Sequence, residues 1–276
     1  MNRRYSGFVK SQIRRFVRFV DSARGDAFDA TMPIGHSSSD LYLVGYPKSG
    51  NVWFGFMLGN INLLMSGIDR RMTFLGGDDV IPSLEIGRHI SQPSTSFPGF
   101  RMIQCHSAYN PNYHRVVLLV RHPVEVMASA YKFGIELGLF SGDIRQFIDH
   151  PHLGISAWIS HTKGWLDGAQ AARFRSSLCL VKYEELRSDP VAVLRDIYSL
   201  MGFELAEKVI ATAVERASFA VMTADEERLS ARSPAWVGLQ HARREQTAGP
   251  RVPIDPELAE RIVTLARPIL DRLGYE

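Results

Sequence analysis

The feature that most limits what this chain can become is a recurring unit: a short aliphatic or β-branched run, a tight turn, then a helical pattern. The runs are Leu41 to Tyr46, Met102 to Cys105, Val116 to Val120 and Leu178 to Val181. Each is bounded by turn residues or charge, and each is short enough for a strand covered on both faces. Apolar residues then recur at helical spacing over roughly 51–65, 123–137, 153–172, 190–201, 205–216 and 256–273. Strands alternating with helices predict an α/β fold, a three-layer αβα domain with a central parallel sheet. The stretches near 21–40, 66–100 and 223–255 read as loops.

At 276 residues, one domain over 1–276 is expected, with 1–40 as a helical or irregular lead-in. The formal charge of +3 is too small for a nucleic-acid coat, so no nucleic-acid partner is expected, but it suits anions gathered at a local basic site. The two cysteines, Cys105 and Cys179, have no metal-ligand spacing and form no disulfide framework, so no metal is expected. No run of about 18 apolar residues appears and no secretory leader opens the chain, which predicts a cytoplasmic protein. Near the N-terminus, Phe8, Ile13, Phe16, Val17 and Val20 recur at helical spacing among arginines and Lys10. That pattern fits a capping helix packed on the core, or else a basic helix in weak peripheral contact with a membrane.

The strongest local signal is Pro47-Lys48-Ser49-Gly50 between the first apolar run and the first helix. Such a turn aims several backbone N–H groups at one point, and the helix N-terminus adds partial positive charge, so it suits a phosphate. Gly50 permits close backbone approach, Ser49 can donate a hydroxyl, and Lys48 supplies a mobile charge. The Gly-Lys-Ser order of the Walker loop is missing, which argues against a nucleotide kinase or GTPase sharing this P-loop-like core. The run Val116 to Val120 repeats the grammar, with Arg121 just beyond it and Ser129 on the following helix. A guanidinium there can grip a second phosphate through paired hydrogen bonds.

Tyr46-Pro47-Lys48-Ser49-Gly50-Asn51-Val52-Trp53 resembles the YPKSGTTW loop of sulfotransferases that use 3′-phosphoadenosine-5′-phosphosulfate (PAPS). Asn51 and Val52 replace its two threonines. The segment from Arg121 to Ser129 is similar to that family's 3′-phosphate segment, with His122 in place of an asparagine. The resemblance implies PAPS as donor, held by Lys48, Ser49, Gly50, Asn51, Val52, Trp53, Arg121 and Ser129, with Lys48 and Ser129 also serving catalysis. It further implies adenine or cofactor contacts from Tyr183, Ser218 and Phe219, and a loop over the 3′-phosphate carrying Arg243 and Arg244. The triplet Gln104-Cys105-His106 stands where the family has Lys-Thr-His, which implies His106 as the base that deprotonates the acceptor.

Acceptors consistent with this reading are a small alcohol, a carbohydrate or glycolipid hydroxyl, or an amine. A pocket for them is expected between loops 66–100 and 223–242, whose aromatic residues Phe74, Phe97, Phe100 and Trp236 mix with Arg88, His89 and Arg232. A binding module that keeps the nucleotide pocket without turnover is the alternative from another class. Oligomeric state is left open.

Overall fold

The computed structural model describes residues 33–84, 90, 100–171, 178–232 and 252–276. Four parallel strands form the sheet in the order β2-β1-β3-β4: β1 (Leu41–Gly45), β2 (Met102–Cys105), β3 (Val116–Val120) and β4 (Leu178–Lys182). The helices are α1 (Asn51–Met65), α2 (Pro123–Glu136), α3 (Ile144–Ile148), α4 (Ile155–Ala171), α5 (Tyr183–Ser188), α6 (Pro190–Leu200), α7 (Glu207–Arg216), α8 (Phe219–Arg232) and α9 (Pro256–Leu273).

Period-two geometry divides each strand between two cores. Tyr42, Val44, Ile103, Cys105, Val116, Leu118 and Val120 face the core built with α2, α4 and α9. Leu41, Leu43, Met102, Val117 and Leu119 face the core built with α1, α6 and α7. All residues of β1, β2 and β3 are buried, as unbroken apolar runs require. At the end of the described order, β4 is less covered, and Leu180 is exposed.

Register explains a buried ion pair. Leu41 pairs with Met102, so the residues before them, Asp40 and Arg101, lie side by side at the amino end of the sheet. Arg101 donates Nε to Asp40 Oδ1 at 2.9 Å and Nη2 to Oδ2 at 2.8 Å, a two-pronged bond that fastens the entries of β1 and β2.

The chain leaves β1 towards β2 on one side and returns to β3 on the other. Strand order therefore reverses between β1 and β3, and the crevice beyond their carboxyl ends is where open α/β sheets bind ligands.

One sequence expectation needs correction: residues 223–232 are not loop but the body of α8. Its Asp225 and Glu226 are buried, and Asp225 accepts the Phe74 backbone N–H at 3.0 Å. Phe74 and Phe100, expected to line an acceptor pocket, are instead core residues packed on Phe56 and on Phe203 respectively. Phe97, Trp236, Arg88, His89 and the basic N-terminal pattern lie outside the described residues.

Candidate active site

The turn after β1 has a shape that can receive an anion. Pro47 holds a negative φ through its ring, Lys48 has φ +71°, Ser49 returns to negative φ, and Gly50 has φ +110°. Alternation of this kind converges successive N–H groups on one concavity. Gly50 is also the N-cap of α1 and gives it no side-chain cap, so the helix's first N–H groups are left for a ligand. Ser49 Oγ and both polar atoms of the Asn51 side chain are buried and have no hydrogen-bond partner among the described residues. Buried polar atoms in that state are costly unless something fills the cradle. Asn51 lies hard against the end of β1, since a Cβ on Gly45 would stand 2.5 Å from its Oδ1. The Lys48 ammonium sits 4.1 Å from the centre of the Phe133 ring. Val52 is half-buried, packed against the α1-side core.

The second turn is tied to the first. Arg121, just past β3, donates Nη1 to the Lys48 carbonyl at 3.3 Å and Nη2 to Glu125 Oε2 at 3.0 Å. Its Nε is buried without a partner among the described residues, so one donor of the fork is still unsatisfied. His122 caps α2 without a side-chain bond, and its backbone N–H goes to Glu184 Oε1 at 3.0 Å. Ser129 is half-buried on α2, one helical turn from Glu125 and one from Phe133. Those neighbours contact Arg121 and Lys48, so Ser129 stands on the helix face that meets both turns.

Aromatic residues close one side. Tyr183, the first residue of α5, packs so tightly on the turn that a Cβ on Gly50 would be 2.6 Å from its Cδ2. The Arg121 guanidinium lies 4.4 Å from the centre of the Tyr183 ring. Trp53 stacks on Phe219 at 5.0 Å between ring centres and meets Tyr183 edge-on at 5.8 Å. Trp53 Nε1 donates to the Ala217 carbonyl at 3.0 Å, which draws the half-buried Ser218 and the start of α8 towards α1. Three residues assigned from separate parts of the sequence thus form one cluster. Arg243 and Arg244 lie outside the described residues.

His106 follows β2 and bonds through Nδ1 to the Gly45 carbonyl at 2.5 Å. A carbonyl only accepts, so Nδ1 carries the proton and Nε2 is the basic nitrogen of the neutral ring. The arrangement can take a proton beside a turn that can receive an anion. Sequence reasoning missed two residues here, His161 and Trp165 of α4, both bonded to the Ser107 carbonyl. Their positions inside an ordinary amphipathic helix carry no local signal. Among the described residues, no group of histidine, cysteine or carboxylate side chains could hold a metal, and no helix is long and apolar enough to cross a membrane.

Comparison with known proteins agrees with this geometry. Residues 38–267 match the family described as the sulfotransferase domain. Sulfotransferase 2B1 of Rattus norvegicus is 26% identical over 207 residues, spanning 67% of this chain and 56% of that protein. The amine sulfotransferase of Oryctolagus cuniculus is 24% identical, over 65% of this chain and 62% of that protein. The match therefore spans less than two thirds of either relative. Retinol dehydratase, solved with retinol and PAP, shares the fold at a TM-score of 0.61 and 15% identity, covering 92% of this chain and 86% of that one. Mouse sulfotransferase SULT7A1, solved with PAP, superposes at a TM-score of 0.56 and 16% identity, covering 86% of this chain and 85% of that one. With the family match covering most of its length, the chain belongs to the sulfotransferase family.

Proposed function

We propose that the chain transfers a sulfuryl group from PAPS to the hydroxyl of a small-molecule acceptor. The observation that carries this reading is the fastening of the two anion turns: Arg121 bonds the Lys48 carbonyl, and Tyr183 packs on both Gly50 and Arg121. One nucleotide with phosphates at two positions would satisfy Ser49, Asn51 and the buried Nε of Arg121 together. Trp53, Tyr183 and Phe219 would hold its base, with Ser218 beside them.

The donor supplies an activated sulfur, and the protein supplies alignment and charge. His106 Nε2 would take the proton of the attacking hydroxyl as the new S–O bond forms. Lys48 and the N–H groups of its turn would stabilise the negative charge left on the phosphate oxygen as the old S–O bond breaks. Ser129, between the two turns, would complete the phosphate contacts and help hold Lys48 in place. Arg243 and Arg244 would close over the 3′-phosphate, as the resemblance implies.

A small hydroxylated acceptor is supported by the ligands of structural neighbours, retinol and androsterone among them. A cytoplasmic location fits two free thiols, Cys105 on β2 and Cys179 on β4. The test is calorimetric titration of the purified protein with PAP, followed by incubation with radiolabelled PAPS and a cell extract to identify the labelled product. A protein that binds no PAP overturns the reading.

A further inference from the structure

We infer that His161 and Trp165 are positioning residues for His106: together they fix the Ser107 carbonyl, and so hold the backbone that keeps the His106 ring on Gly45. The inference rests on the reading of His106 as the base.

A carbonyl oxygen has two lone pairs, and here both are filled by buried donors. His161 Nε2 lies 3.0 Å from the Ser107 oxygen and Trp165 Nε1 also 3.0 Å. The two residues are four apart on α4, which puts them on one face of the helix. Both are buried, so the bonds form out of competition with bulk water. One residue back along the chain, His106 is anchored through Nδ1 to Gly45, the last residue of β1. The base is therefore held from two sides, by β1 through its ring and by α4 through its backbone.

The same helix region also touches the anion turn. The His161 ring meets Tyr46 edge-on at 5.8 Å, and the Tyr46 hydroxyl donates to the Leu153 carbonyl at 3.1 Å, just ahead of α4. Tyr109 adds a third hold on the loop after β2. Its hydroxyl donates to the Gly168 carbonyl at 3.1 Å, and a Cβ on Gly168 would stand 2.3 Å from the ring's Cζ. One rigid helix thus sets the distance between the base and the anion turn, the quantity that an in-line transfer depends on. Burial keeps His161 neutral, its pKa lowered to about 3, and a proton taken up by the nearby His106 acts in the same direction. It is an N–H donor that does not compete with His106 for the acceptor's proton.

The test uses the full chain saturated with PAP, the variants Trp165→Phe and His161→Asn, and long-range proton–nitrogen NMR of the histidine rings. In the wild type, the His106 signals should show a protonated Nδ1. In either variant, part of the population should move to the Nε2-protonated tautomer. Turnover of 2-naphthol as a probe acceptor should fall on the order of 3- to 10-fold, with PAP affinity unchanged. An Nε2-protonated His106 in the wild type overturns the proposal without any variant. Unchanged tautomer and turnover in a folded variant also overturn it. His106→Ala sulfating 2-naphthol at the wild-type rate is a different failure, since it removes the base itself.

Discussion

Tyr183 lies against Gly50 with no room for a side chain between them: a Cβ at position 50 would stand 2.6 Å from the ring. Gly50 also has φ +110°, a conformation that other residues adopt only under strain. Gly50→Ala therefore meets two penalties in one place, a backbone cost of about 1–2 kcal/mol and displacement of Tyr183. Because Tyr183 also carries Arg121, the second anion turn should loosen with the first. PAP affinity measured by calorimetry should fall by at least about tenfold, with the protein still folded. Wild-type affinity in Gly50→Ala would show that the turn does not hold the nucleotide.

Arg121→Lys tests whether geometry or charge matters at the second turn. The guanidinium has work for three separate nitrogens: Nη1 to the Lys48 carbonyl, Nη2 to Glu125, and a buried Nε without a partner among the described residues. A lysine keeps the charge but cannot form that fork or lie over the Tyr183 ring in the same way. PAP affinity should drop roughly 10-fold or more. Sulfate, which lacks the 3′-phosphate arrangement, should compete equally well against both proteins in a thermal-shift titration.

Lys48→Ala and His106→Ala should separate binding from chemistry. In the proposed roles both groups act on charge that develops as the sulfuryl group moves, so kcat should fall by roughly 10²- to 10⁴-fold while PAP affinity changes far less. Steady-state kinetics with a competent acceptor, set beside calorimetry on the same preparations, distinguishes the two effects. Loss of PAP binding in step with kcat would make either residue a binding group only.

The sheet was legible because its strands are unbroken apolar runs with sharp ends. β2 and β3 have the boundaries read from sequence, and α1 spans 51–65 as expected. The tight turn between β1 and α1 was legible for a related reason: its residues are contiguous in the chain. The misses are non-local. The Asp225-Glu226-Glu227-Arg228 run reads as a solvated loop, yet two of its carboxylates are buried and one bonds a backbone N–H 151 residues away. His161 is silent for the same reason, since its partner Ser107 lies 54 residues back. α3 did have a local signal, a reciprocal Asp143–Gln146 capping box, but only five residues follow it.

The Asp40–Arg101 pair should govern stability without touching the site. Both side chains are buried, and the pair ties the amino ends of β1 and β2, the opposite end of the sheet from the anion turns. Asp40→Ala leaves the guanidinium buried, with the Gly35 carbonyl at 2.7 Å as its remaining hydrogen-bond partner among the described residues. The expected loss is about 3–5 kcal/mol in urea unfolding. The double variant Asp40→Ala with Arg101→Met should recover much of it, because no charge is then stranded. PAP affinity should be unaltered in whatever fraction remains folded.

His161 also gives the protein a defined response to acid. Burial lowers its pKa from the ordinary histidine value of 6.5 to about 3, so between those two values the unfolded chain binds a proton that the native chain refuses. Stability contributed by the neutral ring is therefore fully present above about pH 6.5. It is lost progressively as pH falls towards 3, by an amount on the order of 4 kcal/mol. His106, once protonated, acts in the same direction, while the Ser107 and His106 carbonyls oppose it. Urea midpoints measured from pH 8 down to pH 4 should decline for the wild type. His161→Asn, which has no proton to gain, should start less stable and lose less over the same range. Parallel declines in the two proteins would mean that other groups set the acid limb and that His161 is not held neutral by its burial.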